Sequence, residues 1–148
     1  MATNSTAISY PPRAATSPKK LVVALGRVFF AAIFVLSGLG HFSNQTIGYG
    51  ASQGVPLASI AVPLSGLIVM AGGLSVLLGY RAKLGVWLIV VFLVPVTLMM
   101  HKFWAVHGPV MAQMQMVMFM KNISILGGAL LISQFGAGPF SFDAWRSR

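Results

Sequence analysis

The sequence predicts an all-α membrane protein, built as a bundle of four transmembrane helices. Two observations indicate this fold class. Of the 148 residues, 57% are hydrophobic and only 7% are charged, whereas about 25% of the residues in an ordinary soluble domain are charged. The apolar residues are also gathered into four long runs. Such a chain has too few charges to solvate the surface of a soluble domain, and it is too hydrophobic to remain disordered.

Each apolar run is long enough to cross the hydrocarbon layer as a helix, which needs about 17–25 residues. Transmembrane strands alternate in polarity over about ten residues, and none of these runs alternates. The expected helices are 21–42, 56–78, 84–100 and 114–135. They lie within a transmembrane domain over 21–145, between a flexible N-terminal tail at 1–20 and a short C-terminal tail at 136–148. An organellar transit peptide is an alternative for the first tail, because it too is basic and poor in acids.

The cations are distributed unevenly between the two ends of the predicted bundle. The end with both termini holds Arg13, Lys19, Lys20, Arg27, Arg81, Lys83, Arg146 and Arg148, and the other end holds Lys102 and Lys121. Basic flanks usually stay in the cytoplasm, so we expect both termini there. This arrangement accounts for the net charge of +9 without a nucleic-acid partner, since such binders cluster their cations on a polar face. The expected partner is the lipid bilayer.

Polar residues from distant parts of the sequence meet at the outer end of the predicted bundle. His41 ends the first helix, His101 ends the third, and Lys121 and Asn122 lie in the outer half of the fourth. Ionisable residues inside a membrane usually face the bundle interior or a cavity. We therefore predict a ligand-binding site formed by these four residues. The alternatives are that Lys121 extends to the interface, or that its helix starts later, near Met118, and that Asn122 only bonds a neighbouring helix. His41 and His101 could likewise be interfacial residues that bond to loops.

The residue types present limit the chemistry of this chain. It has no Cys, and Asp143 is its one acidic residue, which excludes thiol redox centres, Fe–S clusters and paired-carboxylate catalysis. We predict no catalytic residue and no metal site. A zinc site of three histidines would need His107 as well, and no short spacing links the three. A Cu(I) site is another alternative, but Met114 and Met116 fall on different faces of a helix.

Three residues at the cytoplasmic end are predicted to have a structural role. Arg27 lies inside the first helix, and Asp143 lies in the C-terminal tail. A pair between them, or between Asp143 and Arg81 or Lys83, would neutralise a charge near the lipid. We therefore expect a clasp that folds the tail back onto the bundle.

Small residues and prolines predict how the helices pack. Ala71, Ser75 and Gly79 form a ridge on the second helix, of the kind that lets helix backbones approach closely in lipid. Pro63 and Pro95 lie inside the second and third helices. Each leaves the carbonyl four residues earlier without a helical donor and is expected to kink its helix, which can open a pocket.

Several short motifs occur in an order that resembles the DoxX family of small four-helix membrane proteins. They are GRVFFAAIFVLSGLGHF at 26–42, GVP at 54–56, GGL at 72–74, LGYR at 78–81, His101, KN at 121–122, GG at 127–128 and GAGPFSFD at 136–143. Many relatives carry a Glu just before the Gly-Gly pair, where this chain has no acid, and often a Lys where this chain has His41.

The resemblance implies an accessory, redox-linked subunit of a membrane oxidoreductase system, located in the bacterial inner (plasma) membrane. It implies quinone as the ligand or cofactor and a membrane or soluble redox partner protein, because the chain has no electron carrier of its own. We do not expect the chain to be an enzyme by itself. Two other functions remain open: a binding or transport module for a small solute, and a non-enzymatic scaffold for a partner membrane protein. A homo-oligomer is compatible with each of them.

Overall fold

The computed structural model describes residues 18–147, which form six α-helices and one short 3₁₀ helix. The α-helices are α1 (Pro18–Gly40), α2 (Asn44–Ser52), α3 (Ala58–Leu78), α4 (Ala82–Met100), α5 (Pro109–Phe135) and α6 (Phe142–Arg146), and the 3₁₀ helix is Phe103–Ala105. Four of these helices, α1, α3, α4 and α5, are long and apolar enough to cross a membrane. The expected all-helical, four-span architecture is confirmed. Most of the expected N-terminal tail, residues 1–17, lies outside the described residues.

The connections give the bundle two different ends. The terminal end holds the start of α1, the turn between α3 and α4, and α6, and the loop end holds α2 and the 3₁₀ helix. α2 begins at Asn44 because Ser43 precedes it as an N-cap, its Oγ accepting from the N–H of Thr46 at 3.2 Å. α5 begins at Pro109, where a proline costs no helical hydrogen bond.

The helices pack in chain order, α1 on α3, α3 on α4, and α4 on α5, with α2 lying against α3. The shared core consists of Ala31, Phe34, Val69, Val76, Val86, Ile89, Leu93 and Ala129. Larger side chains such as Phe29, Leu36 and Leu67 are exposed. This distribution is typical of a membrane bundle, where lipid solvates the large apolar side chains and small residues mediate helix contact.

Two glycines bring the backbones of α3 and α4 into contact. A Cβ added to Gly72 would lie 2.7 Å from the carbonyl oxygen of Gly85, and one added to Gly85 would overlap the side chain of Ser75. The hydroxyl of Ser75 donates to the carbonyl of Tyr80 at 2.6 Å, in the turn that follows α3. In the expected small-residue ridge, Ser75 therefore packs on α4 and Gly79 packs on Ser141 of the C-terminal loop, whereas Ala71 is exposed.

Replacing Gly85 by Ala is expected to destabilise the protein by about 1–3 kcal/mol, because the added methyl group overlaps Ser75 and the backbone cannot relax freely. The thermal unfolding midpoint of the purified chain in detergent measures this effect. Gly127→Ala on α5 is the matched control. A Cβ at Gly127 meets no atom within 4 Å, and Ala is favoured over Gly in a helix by about 1 kcal/mol. Equal midpoints for Gly85→Ala and the parent chain would contradict the close approach of α3 and α4.

Candidate functional site

A cavity of about 430 Å³ lies at the loop end of the bundle. Its walls come from α2, α3 and α4 and from the residues that follow α1 and α4. Most of the lining is apolar, with Phe92, Ile68 and Met99 among its members. Two imidazole rings, those of His41 and His101, also line it. This is the place in the described structure where residues of the predicted ligand site share one cavity.

His41 reaches the cavity because α1 and α3 approach closely just before it. A Cβ added to Gly66 would lie 2.7 Å from the Cβ of His41 and 3.0 Å from the carbonyl oxygen of Gly38. Nδ1 of His41 donates to the carbonyl of Ser37 at 3.0 Å. A carbonyl can only accept, so in the neutral ring Nε2 carries a lone pair and acts as an acceptor. The ring also packs edge-on against Phe92, with ring centroids 5.5 Å apart.

His101 follows α4 and is held in a similar way. Its backbone N–H donates to the carbonyl of Thr97 at 3.3 Å, which ends the helix. Nδ1 of the ring donates to Oε1 of Gln115 on α5 at 2.9 Å. In the neutral ring Nε2 is again left as an acceptor. Sequence reasoning missed Gln115. Gln115 could have been found from its spacing, because it lies seven residues before Asn122 and this spacing places both amides on the same face of α5.

Pro95 adds to the acceptor character of the cavity. It has no backbone N–H, so it cannot donate to the carbonyl of Val91 four residues earlier, and both residues line the cavity. The hydroxyl of Ser65, another lining residue, donates to the carbonyl of Val62 at 2.7 Å. The cavity is therefore lined by two imidazoles and by the stretch of α4 where a helical hydrogen bond is missing, and Tyr49 supplies a phenol at its wall.

The other two residues of the predicted ligand site are not part of the cavity lining. Lys121 is exposed on α5, and its Nζ lies 3.4 Å from the sulfur of Met118. Asn122 is buried, and its Nδ2 donates to the hydroxyl of Thr97 at 3.1 Å. That hydroxyl in turn donates to the carbonyl of Leu93 at 2.6 Å. Asn122 thus ties α5 to α4, while His41 and His101 face a common cavity. Among residues 18–147, no three His or acidic side chains come together as metal ligands.

Arg27 is the buried charge of the terminal end, with 7% of its surface exposed. Nη1 donates to the carbonyl of Ala137 at 2.7 Å, and Nη2 donates to the carbonyl of Phe140 at 2.7 Å. Its Nε is buried and has no partner in the described part of the chain. The loop between α5 and α6 can present these carbonyls because Gly136 and Gly138 adopt positive φ angles of 76° and 69°.

Asp143 binds the turn between α3 and α4. Its two carboxylate oxygens accept from the backbone N–H groups of Arg81 and Ala82, at 2.8 and 3.0 Å. Its own N–H donates to the carbonyl of Gly79 at 2.8 Å. A carboxylate in this position satisfies N–H groups at the start of α4 and interacts favourably with the helix dipole. Arg27, Arg81 and Asp143 therefore meet at one loop, through contacts to backbone atoms.

The match to known families decides what kind of membrane protein this is. The model of the SURF4 family matches residues 9–148, which is nearly the whole chain. The chain belongs to the SURF4 family. The resemblance to the DoxX family is therefore wrong. The short glycine motifs that carried it are explained by turns and close helix contacts: Gly72 touches α4, Gly79 ends α3 at a φ of 65°, and Gly136 turns the C-terminal loop.

A relative of known location supports a place in the membrane for this chain. The chain is similar to the inner membrane protein YphA of Escherichia coli (strain K12), with 26% identity over 127 residues that cover 84% of this chain and 90% of the relative. No solved structure matches the chain. Together with the four apolar helices, these findings make this SURF4-family protein a multi-pass protein of the bacterial inner membrane.

Replacing Arg27 by Met should destabilise this SURF4-family protein by about 3 kcal/mol. The change leaves the carbonyls of Ala137 and Phe140 without a donor, and each hydrogen bond to a charged group contributes about 1.5–3 kcal/mol. The thermal midpoint in detergent measures the loss, and chymotrypsin should cut more rapidly at Phe140. Lys121→Met is the control, since that cation is exposed. If both variants unfold at the parent midpoint, Arg27 does not hold the loop.

Proposed function

We propose that this SURF4-family protein binds a small, lipid-soluble molecule with ring hydroxyl groups, of the quinol class, in the cavity at its loop end. The observation that carries this proposal is that two histidines line one apolar cavity and each engages Nδ1 within the protein. Each ring is thereby fixed in orientation, and each neutral ring presents Nε2 as an acceptor.

The polarity of the cavity favours a ligand that donates hydrogen bonds. A quinol carries two hydroxyl groups on a flat ring and can donate to acceptors on different walls. A quinone has only acceptors and would need donors in the same places. The apolar lining suits the ring and its substituents, and a volume of about 430 Å³ lies within the usual range for small-molecule sites, roughly 300–1,000 Å³.

The chain acts in this proposal as an accessory subunit of a membrane oxidoreductase system. It has no Cys, so electrons would pass between the quinol and a partner protein, with this chain supplying the binding site. The unequal distribution of Lys and Arg supports an orientation with both termini in the cytoplasm. In that orientation the cavity lies near the outer face of the membrane.

Titration of the purified chain with decylubiquinol, decylubiquinone and the dimethyl ether of the quinol tests this proposal. The quinol is expected to bind more tightly than both the quinone and the dimethyl ether, because only the quinol can donate to the imidazoles. His41→Phe and His101→Phe keep aromatic bulk and remove the acceptor. Each should weaken quinol binding roughly 2- to 13-fold, the equivalent of one hydrogen bond of about 0.5–1.5 kcal/mol.

His107→Phe is the matched control, since that exposed histidine does not line the cavity. It should leave quinol affinity unchanged. Equal affinities for the quinol and its dimethyl ether would show that hydroxyl donation plays no part, and the proposal would fail. Equal losses in all three histidine variants would also count against the cavity as the binding site.

A further inference from the structure

The terminal end of the bundle carries a second concave surface that the proposed quinol site does not use. A groove of about 530 Å³ lies against α6 and the end of α3. Leu78, Phe140, Phe142 and Trp145 line it. The side chains of Phe142 and Trp145 are 51% and 72% exposed. Aromatic residues at a membrane–water boundary anchor well among lipid headgroups and upper acyl chains.

Five exposed cations lie at the same end of the bundle as this groove. They are Lys19, Lys20, Arg81, Lys83 and Arg146. Arg146 is on α6 itself, and the guanidinium of Arg81 lies 5.7 Å from the centre of the Tyr80 ring. The start of α1, which carries Lys19 and Lys20, packs on the C-terminal loop. A Cβ added to Gly138 of that loop would lie 2.6 Å from a methyl group of Val23 on α1. The cations therefore come from three elements that meet at one end.

The cations of this surface outnumber the acidic residues that could balance them. Asp143 is the one acidic residue of the sequence, and both of its oxygens accept from the backbone N–H groups of Arg81 and Ala82. Those hydrogen bonds hold the carboxylate on the backbone of the α3–α4 turn. A ligand for this surface must therefore supply its own negative charge.

The geometry points to a binding site for an anionic phospholipid at the terminal end. An acyl chain would lie in the groove between Leu78 and Trp145, and the phosphate would face Lys83 and Arg146. A free phosphate lacks the apolar part that the groove requires, and a zwitterionic lipid lacks the net charge that the cations attract. Juxtamembrane Lys and Arg attract anionic lipids with about a fivefold gain in affinity for each cation. This inference does not rest on the proposed function at the loop end.

Native mass spectrometry of the full chain tests this site. The chain is first reconstituted in nanodiscs that contain phosphatidylcholine and phosphatidylglycerol, and the lipids that stay bound after its release from the nanodiscs are then identified. The parent chain should retain phosphatidylglycerol in preference to phosphatidylcholine. The double variant Lys83→Gln and Arg146→Gln should lose about 25-fold in affinity for phosphatidylglycerol, given roughly fivefold for each cation. The assay does not depend on which side of a membrane the terminal end faces.

The control is the double variant Lys102→Gln and Lys121→Gln, which removes the same charge from the loop end and should retain phosphatidylglycerol as the parent does. Equal losses in the two double variants would overturn the site, because the effect would then reflect net charge alone. Equal retention of the two lipids by the parent chain, or displacement of phosphatidylglycerol by inorganic phosphate, would overturn it as well. The thermal unfolding midpoint of each variant in pure phosphatidylcholine shows whether that variant folds. If the double variant of Lys83 and Arg146 does not fold, the double variant Lys19→Gln and Lys20→Gln takes its place.

Discussion

A guanidinium within a membrane-spanning helix must find oxygen acceptors, and the organisation of the terminal end follows from this requirement. Arg27 obtains them from the carbonyls of Ala137 and Phe140. The loop must therefore fold back onto α1, and two glycines with positive φ allow it to turn. Once the loop is in place, Asp143 reaches the start of α4 and satisfies two of its N–H groups. One buried charge thus links α1, the α3–α4 turn and the segment after α5.

The two ends of the bundle differ because different residues mediate their contacts. Near the terminal end, Gly72 and Gly85 bring α3 and α4 into backbone contact, and Gly79 lies against Ser141. At the loop end, Pro95 interrupts the hydrogen bonding of α4, and a cavity lies between α4 and the elements around it. Gly66 also brings α3 close to α1 beside His41, so the cavity lies next to a close helix contact, with both histidines and Pro95 in its lining.

The four membrane spans could be predicted from the sequence because lipid imposes a length and a polarity on each helix. The partners of individual polar residues could not. Lys121 and Asn122 are adjacent, so on a helix of 3.6 residues per turn their side chains diverge by about 100°. Only one of them can face α4, and in the structure it is Asn122. The family was also misassigned, because short glycine motifs reflect tight turns and close packing more than descent.

The cavity reverses the hydrogen-bonding polarity that the sequence led us to expect. Lys, His and Asn would have offered donors to quinone carbonyls, but the histidines use their Nδ1 protons within the protein and keep acceptors for a ligand. In the proposed function this difference has a thermodynamic consequence. A site that binds the quinol ten times more tightly than the quinone raises the reduction potential of the bound couple by about 30 mV, because two electrons are transferred. Binding geometry alone would then make the bound quinone easier to reduce than the free quinone.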